Sequence, residues 1–141
     1  MQNITYSDQA LELQAIAKEI AEKHVRPHAA RLDKAQEYNY EAAQACAEAG
    51  LFGTWIPKEY GGNGAGVLAL ALIVEEMAKA DSGFGVAFAV NALGSFPILV
   101  GGTEEQKKHW LPMVASGEKM VAFCLSEKFA GSDAGGLSVR A

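Results

Sequence analysis

A change of hydrophobic period near Gly117 constrains this chain more than any other feature. Before it, apolar residues recur at helical spacing. After it, residues 120–125 (Met-Val-Ala-Phe-Cys-Leu) form a compact apolar run with an aromatic and a β-branched residue, which reads as a strand. A lone strand leaves its backbone donors and acceptors unpaired. Such a chain is expected either to pair that strand with another chain or to stop inside a second domain. Up to about Gly117 the expected fold class is all-α.

Within the helical part, Leu13, Ile16, Ala17 and Ile20 place a first apolar face from about Asp8 onward. Glu22 and Arg26, acid first and four apart, add slight support. Pro27 lacks an amide donor and should kink this helix or start a new turn. A second helix is expected over residues 40–49, with Gly50 as its stop. A third should cover 66–80, with Glu75, Glu76, Lys79 and Asp81 reaching water. A fourth is expected over 84–92 and a short fifth over 95–100. Thr103 reads as the N-cap of a last helix ending near Ala115.

Half of the 141 residues are hydrophobic, enough for a core without metal or disulfide staples. A formal charge of −5 argues against a nucleic-acid footprint, which needs a basic face. Cys46 and Cys124 form no Cys-x-x-Cys pair and read as two reduced, buried thiols in a cytoplasmic protein. No apolar leader opens the chain over residues 1–8. The apolar run 84–100 is interrupted by Asn91, Gly94, Ser95 and Pro97, so it reads as buried helix rather than a membrane span.

Most candidate chemistry fails on spacing. The glycines of residues 61–66 match neither phosphate-binding pattern and read as a structural turn. His24 and His28 could share a helix face, but no acid or cysteine is spaced to complete a metal site, and basic neighbours make the face a solvated one. His109 reads as surface. Glu75 and Glu76 are adjacent and so do not face each other as a catalytic pair. No nucleophile–base arrangement stands out. Residues 123–133 differ: a hydroxyl and a Gly-Ser-Asp turn follow the apparent strand end, where free amides can receive an anion or cofactor.

That segment, Phe-Cys-Leu-Ser-Glu-Lys-Phe-Ala-Gly-Ser-Asp, resembles the flavin-binding signature of the acyl-CoA dehydrogenases. The resemblance extends upstream in order through Ala49-Gly50-Leu51-Phe52-Gly53, Ile56-Pro57-Lys58-Glu59-Tyr60-Gly61-Gly62, Glu75-Glu76-Met77-Ala78 and Gly102-Thr103-Glu104-Glu105-Gln106-Lys107-Lys108, then Leu111-Pro112. It implies an N-terminal helical domain, a middle β domain and a C-terminal helical bundle, of which this chain would be the first, an all-helical domain over residues 1–118, plus the opening strand of the second over residues 119–141. It implies oxidation of an acyl-CoA thioester to the trans-2-enoyl-CoA with FAD as hydride acceptor. The glutamate base of most members lies in the C-terminal bundle, so no catalytic residue is expected here and the chain alone should be inactive.

By the same resemblance, Phe123, Leu125 and Ser126 would lie against the flavin ring, Ser126 offering amide and hydroxyl to its N1/O2 edge. Gly131 and Ser132 would lie near the pyrophosphate, and Ser132 would also approach the pantetheine arm of the substrate. Ala89 and Val90 would floor the acyl pocket. Lys128 stands where the family usually has proline and is expected to point to solvent. The implied partners are an acyl-CoA, an electron-transferring flavoprotein and further copies of the full-length chain in a dimer or tetramer. An acyl-CoA oxidase, a nitroalkane oxidase or a flavin monooxygenase on the same fold, and a helical binding module without catalysis, remain alternative readings.

Overall fold

The computed structural model describes residues 5–140. Six α-helices form the body: α1 (Asp8–Ile20), α2 (Ala29–Ala35), α3 (Tyr40–Glu48), α4 (Gly66–Ala80), α5 (Ser82–Gly101) and α6 (Glu104–Ala115). Side-chain caps begin four of them. Ser7 accepts from Ala10 N, Asn39 from Ala42 N, and Asp81 from Gly83 N and Phe84 N; Thr103 and Gln106 form a reciprocal capping box.

Pro27 has its expected effect by a particular route. After α1 the backbone widens into a π-helical turn, Ala21–Val25, and the Arg26 amide reaches back to Ala21 O. A short 3-10 turn, Arg26–His28, then leads into α2. The wider turn accommodates a ring that would collide with the carbonyl of residue 23 in a regular helix. Beside it, Arg26 and Glu22 form a two-bond ion pair, each bond 2.8 Å.

The core lies where α1, α4 and α5 meet the connection between α3 and α4. Leu51, Phe52, Trp55 and Ile56 fold inward from that connection. Phe52 stacks on Phe88 of α5 at 5.0 Å, and Trp55 meets Phe88 edge-on at 6.1 Å. The glycine-rich stretch is indeed a structural turn. Gly62 N donates to Pro57 O, and a Cβ on Gly62 would lie 1.9 Å from Ile56 O, so only glycine fits.

Four expectations are corrected. The helices expected over 84–92 and 95–100 are one continuous helix, α5. Asn91 and Ser95 do not break it, because both satisfy their side chains on its own carbonyls: Asn91 Nδ2 donates to Ala87 O at 3.1 Å, and Ser95 Oγ to Asn91 O at 2.8 Å. This helix is long and apolar enough to cross a bilayer. Here its Phe84, Phe88 and Ala92 are packed into the core. Glu76 does not reach water. It is buried, accepting from Gln14 Nε2 of α1 at 3.0 Å and from Lys79 Nζ at 2.9 Å. Its carboxyl is held below the usual range, chiefly by Lys79. Cys46 is buried as expected, which pushes its thiol up to about 12, but Cys124 is exposed.

The strand expected over residues 120–125 is the remaining correction: residues 120–126 form neither helix nor strand, because no described residue offers them a ladder. The nearest approach to sheet is one antiparallel bridge between Glu127 and Ala130.

Candidate functional site

The segment after α6 is not loose at its root. Val121 N donates to Asn91 Oδ1 of α5 at 3.1 Å. One turn along α5, Gly94 has no side chain, and a Cβ there would sit 3.0 Å from Ala122 O. The segment therefore crosses α5 in close backbone contact before leaving the body.

Beyond the crossing the segment is open. Phe123 and Leu125 are 40% and 39% exposed, and Phe129 is 90% exposed. Among the described residues, the amides of residues 122–126 donate to no backbone acceptor. The side-chain hydrogen bonds of this stretch all run through Glu127 instead. Its carboxylate accepts from Ser138 N at 2.9 Å, Ser138 Oγ at 2.6 Å and Val139 N at 2.9 Å. These donors, the Ser138 hydroxyl foremost, hold the carboxyl below its usual range. Glu127 thus closes residues 127–139 into one loop, on and beside which Ser132 and Ser126 are exposed. The sequence reading missed this closing role, because Glu127 finds its partners eleven and twelve residues away in an irregular stretch.

Gly131 and Ser132 are exposed at the tip of that loop. A Cβ on Gly131 would meet nothing within 4 Å, and its φ is not positive. Neither packing nor backbone conformation within the chain demands a glycine there. What it leaves is room for an outside group to come close to the backbone. Lys128 is exposed, its Nζ 5.1 Å from the centre of the Phe129 ring.

Ala89 and Val90 lie elsewhere, on a groove of about 350 Å³ between α4 and α5. Leu70, Val74, Val86, Leu93 and Phe96 line it with them, and no lining residue is titratable. The groove and the segment share a support: Val90 is one helical turn from Gly94, against which Ala122 lies. The structure places Phe123, Leu125 and Ser126 on the irregular run that starts beside this helix, while Gly131 and Ser132 lie further on in the loop.

The other candidates take ordinary places. His24 Nδ1 is 2.9 Å from Glu41 Oε1, and His109 is exposed against Trp110. Among the described residues no three His, Cys, Asp or Glu side chains converge as a metal site would need.

A family model for the acyl-CoA dehydrogenase N-terminal domain matches residues 7–118. The chain belongs to the acyl-CoA dehydrogenase family. A probable acyl-CoA dehydrogenase of Mycobacterium leprae is 39% identical over 130 residues, which is 92% of this chain and 33% of that protein. Among solved structures, butyryl-CoA dehydrogenase from Megasphaera elsdenii superposes with a TM-score of 0.88 at 31% identity, over 97% of this chain and 37% of that one. A chain from a structural study of the electron transferring flavoprotein of Acidaminococcus fermentans gives 0.89 at 37% identity, over 96% of this chain and 36% of that one. The chain thus spans about a third of the length of the curated relatives it matches.

Membership implies FAD, and the residues present suit it. An isoalloxazine needs an apolar face and donors at its edge. Phe123 and Leu125 offer the first, and the unspent amides beside Ser126 offer the second. The open backbone at Gly131 suits a pyrophosphate.

Proposed function

We propose that this chain is the N-terminal part of an FAD-dependent acyl-CoA dehydrogenase, which converts an acyl-CoA thioester to its trans-2-enoyl-CoA. The observation that carries the reading is a juxtaposition on α5. A run of exposed apolar side chains and unspent amides starts beside Gly94, one turn from a groove without a titratable group.

In this reading the groove takes the acyl chain. Ala89 and Val90 are small and uncharged, so they shield it from water without fixing its length. Phe123 and Leu125 hold one face of the flavin ring, and Ser126 donates amide and hydroxyl to the N1/O2 edge, where negative charge develops. Gly131 and Ser132 receive the pyrophosphate, and Ser132 also meets the pantetheine arm. Bound FAD supplies a hydride acceptor for the β-carbon. The α-proton requires a base of raised basicity. No carboxylate lines the groove, so this reading takes the base from outside the described residues. The acceptor from which flavin is reoxidised would be an electron-transferring flavoprotein, and the full-length protein would assemble as a homo-oligomer.

The test uses the full-length gene product. It should purify yellow and keep its flavin band through gel filtration. Anaerobic addition of an acyl-CoA should bleach that band. Reoxidation by electron-transferring flavoprotein, and not by oxygen, supports the dehydrogenase; rapid reoxidation by oxygen favours an oxidase or monooxygenase. A product that holds no flavin refutes all three. Residues 1–141 alone should retain no flavin, since only part of the cofactor's surroundings is present.

A further inference from the structure

Asn91 is 3% exposed in the middle of an apolar helix. Burying an amide there costs free energy unless its polar atoms are paired. Its Nδ2 is spent on Ala87 O, within α5, and this turns Oδ1 away from the helix axis toward Val121 N. Among the described residues, Val121 is its partner outside α5. An apolar residue would fill the core as well, so the amide serves the bond to the segment.

One turn on, Gly94 makes the complementary provision. A side chain there would meet Ala122 O at 3.0 Å and Val121 Cβ at 3.2 Å. Asn91 draws the segment down and Gly94 lets it come close. The two residues are three apart on one helix and act on neighbouring residues, so together they form a seat. Val90 and Leu93, which line the groove, sit on the same turn of the same helix.

We propose that Asn91 and Gly94 are positioning residues, which set the height of residues 121–126 over α5 and thereby align the flavin edge with the acyl groove. The inference rests on the flavin reading above. Ser126 lies five residues past Val121 on a run that no ladder fixes. Its placement relative to the groove is therefore inherited from the seat. A displacement of a few tenths of an ångström at Ala122 is carried to the ring face and its donors.

The decisive variant is Gly94→Ala in the full-length protein. Alanine favours helix over glycine, so its melting temperature should stay or rise. The FAD dissociation constant should nevertheless rise about tenfold, and the absorbance band of bound flavin should shift. Asn91→Ala should weaken FAD in the same direction. Opposite movements of stability and affinity are what a merely structural glycine would not produce. A Gly94→Ala protein with wild-type affinity and spectrum overturns the inference alone. So does one whose affinity falls only in step with lost stability. A wild-type protein that holds no FAD overturns both this inference and the functional reading.

Discussion

The helical body and the segment that trails from it obey opposite rules. In the body, Phe52, Phe88, Ile73 and Met77 are fully enclosed, and no buried side-chain polar atom among the described residues lacks a partner. In the segment, Phe123, Leu125 and Phe129 stand open, and a row of amides is unspent. A chain spends apolar residues on open surface without need only at the risk of association. The body has open apolar residues too, among them Val86 and Leu93 at the groove, but it encloses its largest side chains, whereas the segment leaves Phe123, Leu125 and Phe129 all open and is shaped for something laid against it.

The sharpest way to break this contrast is to truncate one aromatic in each region. Phe88 is wholly buried between Phe52 and Trp55, so Phe88→Ala should cost about 3–5 kcal/mol in urea unfolding. Phe129, 90% exposed, should cost within about 0.5 kcal/mol when changed to alanine. Equal losses would mean the segment is part of the core. A smaller effect is expected at Ser95, whose hydroxyl accepts from Trp55 Nε1 at 2.8 Å. Ser95→Ala strands that buried donor and should cost about 1–3 kcal/mol.

The same contrast explains what could be read from the sequence. Four helices of the body, α1, α3, α4 and α6, were legible because their signals are local, as where Thr103 caps and Gly50 ends, while Pro27 marked a perturbation without foretelling α2. The signature at residues 123–133 was legible as a resemblance, although nothing in its own geometry identifies a flavin. Asn91 and Ser95 misled, since polar residues in an apolar run read as interruptions until their partners on the same helix are seen. Glu76 misled for a different reason: Gln14 is 62 residues away, and only the packing of α1 on α4 joins them. Cys124 looked buried because its neighbours are apolar, and a sequence does not say whether their cover lies within the same chain.

Acid should separate the regions next. Glu76 has its folded-state carboxyl lowered from 4.5 by Lys79 and Gln14. A depressed folded value means the stabilisation is present above the unfolded value and is lost as pH falls through the folded one. Urea midpoints should therefore decline below about pH 4.5, and Glu76→Gln should flatten that decline. Glu127 is lowered as well, by Ser138 and Val139, but it secures only the loop. Glu127→Gln should leave the urea midpoint unchanged at neutral pH and speed hydrogen exchange at the Ser138 and Val139 amides. A fall in the global midpoint would show that the loop is welded to the body.

The smallest effect is a chemical one, and it reads the two regions without altering either. The thiolate is the reactive form of cysteine, so burial in apolar surroundings protects it twice, by excluding the reagent and by raising the pKa. Cys46 has both protections, its thiol pushed up to about 12, while Cys124 sits exposed between Phe123 and Leu125. Titration of native residues 1–141 with a disulfide reagent should release one equivalent promptly, and denaturant should release the second. In the full-length protein loaded with FAD, the prompt equivalent should slow, because whatever covers Phe123 and Leu125 must also pass over the residue between them. A prompt rate that is the same in both proteins would show that the segment remains uncovered, and would remove the reason for its open apolar face.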